Sequence, residues 1–199
     1  APASCAQYDI REMSRSIFVL VCVITLSAAL GSCSGGIEPE DPVYDLPESF
    51  GALPEHDPDV VLTIRDGAGR SEPLRVSVPM LRELPATTFE SYDPWLDETR
   101  TFTGVHLAAL LSAVGPVDRA SKVELVAFNG YVVVIPMDDI VRYDYLLAYQ
   151  EDGRLYRELG DEENKGPLAV AIDFDRSPEI DREVVKANLI WWLDEITIR

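Results

Sequence analysis

Apolar positions fall into distinct regimes along the chain. A continuous charge-free run, Ile17–Leu30 (IFVLVCVITLSAAL), lies near the start, and an acidic stretch with regular prolines follows over 34–59. From Asp59 onward the apolar residues come in short periodic groups. Val60–Arg65 (VVLTIR) is β-branched and predicts a strand, ending at the turn Asp66-Gly67. Leu74–Val78 predicts a second strand, Pro79–Leu84 a single helical turn closed by Pro85, and Thr87–Ser91 another strand. Thr101–Gly104 leads into the clearest helix. There Leu107, Leu110, Leu111 and Val114 follow i, i+3, i+4, i+7, and Gly115-Pro116 stops the run.

Two strand-like segments, Lys122–Phe128 and Tyr131–Ile135, flank Asn129-Gly130 and predict a hairpin, because Asn-Gly tolerates the positive φ of a tight turn. Asp138–Val141 reads as a helical turn, and Leu146–Gln150 as a strand ending at Glu151-Asp152-Gly153. Leu168–Phe174 reads as a strand, Arg182–Ala187 as helical and Leu193–Ile198 as a closing strand. No internal repeat is visible. The expected class is α+β, with mixed short-stranded sheets and a few short helices. About 140 residues from Asp59 onward suffice for one core.

The charge-free run has the shape of an export signal. Met13 is a plausible start, Arg15 supplies a positive flank, and the run fits the roughly 7–15 apolar residues of a signal core rather than the ~18–20 of a membrane span. It ends in Leu30-Gly31-Ser32-Cys33, which resembles a bacterial lipobox, with Cys33 as the lipidated residue. An uncleaved anchor helix is the plainer alternative. The division expected is a signal region over 1–32, a tether over 33–58 and a domain over 59–199. Ser34–Asp59 holds five prolines and eight acidic residues with no Lys or Arg, a composition that favours a solvated tether. Its acidic residues lack the regular spacing of a calcium loop.

Composition narrows the function. The chain has 199 residues, 17 Lys+Arg, 35 Asp+Glu and a formal net charge of -18, which opposes nucleic-acid binding. The three cysteines stand at 5, 22 and 33, so a disulfide framework, a four-cysteine zinc site and a catalytic thiol in the domain are all excluded. His106 has Leu110 rather than a ligand at i+4, no Ser-His-Asp arrangement is argued by either histidine, and Asp138-Asp139 and Asp161-Glu162-Glu163 read most simply as solvated turns.

Four pieces of sequence carry a resemblance. They are Phe102-Thr103-Gly104-Val105-His106-Leu107 running into Leu110-Leu111, then Val126-Ala127-Phe128-Asn129-Gly130-Tyr131. Leu146-Leu147-Ala148 with Asp152-Gly153 comes next, and Gly166-Pro167-Leu168 with Trp192-Leu193-Asp194-Glu195-Ile196 closes the series. In order and spacing they resemble the molybdopterin-binding domain of the sulfite oxidase family. The resemblance implies that family's fold. It also implies a molybdenum bound through a cysteine thiolate, but no cysteine lies between Ser34 and Arg199, and Ala169 stands where the family places an anion-binding arginine after Gly-Pro-Leu.

Small, cysteine-free, exported relatives look instead like pterin-binding proteins, in which the pterin is a signal passed to a membrane-bound enzyme of cyclic-di-GMP turnover. The expectation is therefore a lipid-anchored extracytoplasmic protein that binds a pterin or molybdopterin-like ligand without a metal and acts through a membrane-bound partner. A molybdopterin-dependent oxidoreductase with a non-cysteine ligand and a non-catalytic scaffold remain as alternatives. A pterin needs a ring to stack on and a few polar groups for its edge. The candidates are Trp95 in a loop, Asn129, Gly130 and Tyr131 at the hairpin, Tyr145 with Tyr143 on one face of an extended piece, and Trp191 and Trp192. Strand alternation would send one of the last two into the core and the other to a pocket.

Overall fold

The computed structural model describes residues 42–67, 71–115, 120–159 and 165–199. The signal region, Cys33 and Asp161-Glu162-Glu163 lie outside them. Elements follow in the order β1 (Leu62–Asp66), β2 (Leu74–Val76), α1 (Val78–Arg82), β3 (Thr87–Asp93), β4 (Glu98–His106) and α2 (Leu107–Val114). Then come β5 (Lys122–Ala127), β6 (Val132–Pro136), α3 (Met137–Arg142), β7 (Leu146–Glu151), β8 (Arg154–Leu155), β9 (Ala169–Ala171), α4 (Arg182–Val185) and β10 (Leu193–Ile198). Among the described residues no helix is long and apolar enough to cross a membrane.

The strands form two sheets. The first has the order β2-β1-β10-β5-β6, with β1 and β10 parallel and the other pairs antiparallel. Its pleat buries Leu62, Ile64, Val123, Leu125, Val133, Ile135 and Ile196 on one face. The second runs β3-β4-β7, and β8 and β9 both pair with β7. Both faces of β7 are covered. Leu147 and Tyr149 enter the main core with α1, α2 and the first sheet, while Leu146 and Ala148 join Phe102, Tyr156, Ala169 and Ala171 in a smaller second core. The functional features below sit over that second core.

Local chemistry explains the element ends. Ser77 caps α1 by accepting the Met80 N–H at 3.4 Å, with Pro79 in the first turn. Gly104 in the Phe102–Leu107 motif has a packing reason. A Cβ there would lie 2.1 Å from the Leu147 carbonyl oxygen and 2.7 Å from Ala148 Cα, at the point where the β4–β7 register shifts.

Several expectations need correction. The described part of the expected tether is not solvated throughout, since Tyr44 and Phe50 are buried in the main core while Val43, between them and the chain start, is 92% exposed. The Tyr44 hydroxyl accepts the His106 N–H at 2.8 Å, and the Gly51 carbonyl accepts the Arg75 N–H at 2.9 Å. Acidic neighbours keep the flanks polar while two aromatic side chains supply the burial. The strand expected over 168–174 is regular only over Ala169–Ala171. By contrast, the hairpin expected at Asn129-Gly130 forms and joins β5 to β6. Only Gly130 has positive φ (81°), and its N–H closes a turn on the Ala127 carbonyl at 2.8 Å.

Candidate functional site

Trp95, Asn129, Tyr131, Leu189, Ile190, Trp191 and Trp192 line one open cleft of about 270 Å³. Five of the sequence candidates thus converge from the β3–β4 loop, the β5–β6 hairpin and the segment entering β10. Trp95 and Trp191 meet edge to face with centroids 6.3 Å apart, and Trp191 and Trp192 do so at 6.1 Å and 83°. Lys186 lies over the Trp95 ring at 4.8 Å. Trp95 is 49% exposed, so its ring is open to a ligand.

Both terminal tryptophans reach the cleft because strand alternation fails there. Trp192 has φ 54°, a left-handed conformation that is unfavourable for a bulky residue. Two backbone bonds hold it: its N–H donates to the Lys165 carbonyl at 2.6 Å, and its carbonyl accepts the Phe128 N–H at 2.8 Å. The second bond ties the hairpin to β10. The Asn129 Oδ1 accepts the Tyr131 N–H at 3.0 Å, which leaves the amide NH2 of Asn129 as a donor, and the Tyr131 hydroxyl donates to the Ala187 carbonyl at 3.1 Å. Gly130 itself supplies the turn rather than a lining side chain.

Tyr145 does not belong to this site. It is 1% exposed, its hydroxyl accepts from Asn188 Nδ2 at 3.1 Å, and burial pushes its phenol up to about 12, offset in part by that hydrogen bond. The extended piece expected at 141–147 is interrupted, since α3 runs to Arg142 and Asp144 takes φ 51°. Tyr143 and Tyr145 therefore do not share a strand face.

Sequence reasoning missed Lys165. It is 2% exposed, beneath Trp191, and bridges two carboxylates: Asp93 Oδ2 at 2.7 Å and Glu151 Oε2 at 2.5 Å. Its ammonium lies 5.2 Å from the Trp191 ring and 5.6 Å from Phe102. Asp93 turns its other oxygen to the loop, where Oδ1 accepts the backbone N–H of Trp95 at 2.8 Å and of Leu96 at 3.3 Å. One carboxylate thus holds both the buried lysine and the loop that presents Trp95. Tyr156 lies alongside; burial first, and then the Glu151 carboxylate, push its phenol well above the ordinary value. No spacing in the sequence singles out two carboxylate partners for one lysine, since Asp93 and Glu151 lie 72 and 14 residues from Lys165.

A second group also escaped the sequence. The His106 Nε2 meets Thr87 Oγ1 at 2.6 Å, its Nδ1 meets Asp144 Oδ1, and Asp144 Oδ2 accepts from Arg176 at 3.1 Å. This Thr-His-Asp chain lines neither the aromatic cleft nor the small cavity beside Lys165. It joins β3, β4 and the turn after α3, and its position fits a structural clasp.

The architecture defines an α+β protein of two five-stranded sheets, one mixed and one antiparallel, with an aromatic cleft at one edge. Among solved structures the chain is similar to the sulfane dehydrogenase SoxCD from Paracoccus pantotrophus, with a TM-score of 0.51 at 16% identity over 74% of this chain. That likeness concerns the fold and agrees with the sulfite-oxidase-like architecture that the sequence motifs suggested. The chain spans 40% of the length of the chain it matches. No family model matches the sequence, and no curated protein matches it.

The resemblance carried by the sequence motifs implies a molybdenum–pterin group. The cleft fits the ring part of it, since it offers three indoles, an amide and a phenol. It does not fit the metal part. A soft thiolate is the family's ligand, and the side chains lining this cleft include no sulfur donor. Among the described residues no three His, Cys, Asp or Glu side chains cluster to hold a metal ion.

Proposed function

We propose that this chain is a lipid-anchored extracytoplasmic protein whose cleft binds a pterin or a related flat heteroaromatic compound, and that a protein partner reads the occupied cleft. The observation that carries the reading is the convergence of Trp95, Trp191, Trp192, Asn129 and Tyr131 on one open cleft. A volume of about 270 Å³ lies just below the roughly 300–1,000 Å³ typical of drug-sized ligands, which suits a bicyclic ring. Indole faces supply stacking, and Asn129 can donate to the amide-like edge. The lipid anchor rests on Leu30-Gly31-Ser32-Cys33. Phe128, Val132 and Val134 are exposed on the hairpin that also forms the cleft wall, and they offer the partner an apolar surface whose position depends on the cleft.

The test is a titration of the full chain in detergent with oxidised and reduced pterins, read by quenching of tryptophan emission. A denatured extract is assayed in parallel for pterin fluorescence and molybdenum. Saturable quenching at micromolar pterin supports the reading. Stoichiometric molybdenum would replace it with an oxidoreductase that uses a non-cysteine ligand. No quenching and no thermal shift across the panel would make the protein a scaffold.

A further inference from the structure

Three charged side chains are enclosed together under Trp191. Lys165, Asp93 and Glu151 have side-chain exposures of 2%, 5% and 6%. Taking three ions out of water is costly, and their mutual attraction offsets the cost only in part. Aromatic rings wall the group: Trp191 and Phe102 lie against the ammonium, and Tyr156 is fully buried beside it.

We propose that Lys165 and Asp93 become joined by an intramolecular amide bond, formed by the folded chain on itself with Glu151 as the base. A nitrogen 2.7 Å from one carboxyl oxygen lies roughly 3–3.5 Å from the carboxyl carbon, the separation of a near-attack arrangement. The Lys165 ammonium first passes a proton to Asp93 Oδ2, which leaves a neutral amine and a neutral acid. The amine lone pair attacks Cγ, and the N–C bond forms. Negative charge develops on Oδ1, where the Trp95 and Leu96 N–H groups already donate at 2.8 and 3.3 Å as a two-donor oxyanion hole.

Glu151, 2.5 Å from the same nitrogen, takes its second proton and delivers it to Oδ2. The Cγ–Oδ2 bond breaks and water leaves. The products are one secondary amide, one water and the regenerated Glu151 carboxylate, with no change of oxidation state. Arg100 Nε lies 3.8 Å from Glu151 Oε1, on the side away from the lysine-bound oxygen. A cavity of about 10 Å³ lined in part by Asp93, Lys165 and Tyr156 is of the size that holds one water, so the leaving molecule has a place beside the reacting atoms. The reaction removes two of the three buried charges and leaves Glu151 with Arg100.

The bond would tie the end of β3 to the segment before β9 across 72 residues, directly beneath the cleft. It stands independently of which ligand the cleft takes. The experiment is peptide mapping by mass spectrometry of the purified full chain after denaturation and digestion. The expected result is a branched peptide joining the Asp93 and Lys165 segments, lighter than their sum by one water. Glu151→Gln and Lys165→Met should return the two linear peptides. If the folded wild-type chain gives only linear peptides, the triad is an ion pair and the proposal is wrong, whatever the variants do. A water loss mapped instead to Asp66-Gly67 or Asp152-Gly153 would mark a cyclic imide and would equally overturn it. A branch that persists in Glu151→Gln would remove Glu151 from the chemistry.

Discussion

Gly166 lies against Trp192 with no room between them: a Cβ on Gly166 would sit 2.3 Å from Trp192 Cδ1 and 2.6 Å from its Cα. Gly166 also has φ 85°, a left-handed value that only glycine adopts freely. The backbone at 165–166 is thereby the back wall that sets the Trp192 indole in the cleft. Gly166→Ala combines left-handed strain with overpacking, so a loss of roughly 2–4 kcal/mol of stability is expected in urea denaturation. A variant within experimental error of the wild type would refute the close approach.

Trp95 separates binding from folding. It is half exposed, so Trp95→Ala should leave the unfolding midpoint nearly unchanged. Losing one aromatic contact of about 1–1.5 kcal/mol should weaken pterin binding about tenfold. Calorimetric titration of the two proteins decides the matter; equal affinities would place the ligand elsewhere.

The segment before β1 belongs to the core. A chain that begins at residue 59 lacks Tyr44 and Phe50, each worth roughly 1.5–3 kcal/mol of burial. It should melt clearly below one that begins at residue 39. Coincident melting curves would restore the whole of 33–58 to a tether.

Alkaline pH should unfold the protein cooperatively. Burial is the main reason that the phenols of Tyr44 and Tyr145 are raised from 10.0 to about 12. Because the folded values lie above the unfolded ones, this contribution to stability is fully present below pH 10. It is lost as pH rises through about 12. Phenolate absorbance and circular dichroism recorded together should change in step. Titration of both tyrosines near their ordinary value in a chain that stays folded would contradict their burial.

Acid acts at a different place. Burial alone would raise Asp152, but the Thr101 N–H at 2.9 Å and Arg100 Nη1 at 2.8 Å bind its carboxylate and hold it below its ordinary 3.8. The folded value is depressed, so its stabilisation is present at neutral pH and is lost as pH falls through that value. Asp152→Asn should flatten the acid limb of the stability profile by a small amount, since the pair is partly exposed. An unchanged limb would show that solvent screens the pair fully.

Much of the framework was legible. Helix α2 begins and ends where its apolar spacing and Gly115 place it, and β10 occupies Leu193–Ile198 as its β-branched pattern indicates. The site was legible as a list of aromatic residues rather than as an arrangement. Trp95, Tyr131, Trp191 and Trp192 stand out by composition, and Tyr131 directly follows the Asn129-Gly130 turn. Tyr145 was misplaced because the extended reading of 141–147 ignored the helical turn that ends at Arg142 and the left-handed Asp144.

By itself the sequence determined what depends on neighbours in the chain: the strand and helix periods, the turn residues, the acidic charge and the motifs that point to the fold. Tertiary structure decided what depends on residues brought together from afar. Trp192 faces the cleft only because Lys165 and Phe128 hold its backbone in a left-handed conformation. Lys165 is buried only because Asp93, 72 residues away, and Glu151 surround it. The physical reason is that periodicity records which side of an element is apolar. The partner of a buried charge is fixed by packing between elements, and no local pattern along the chain encodes it.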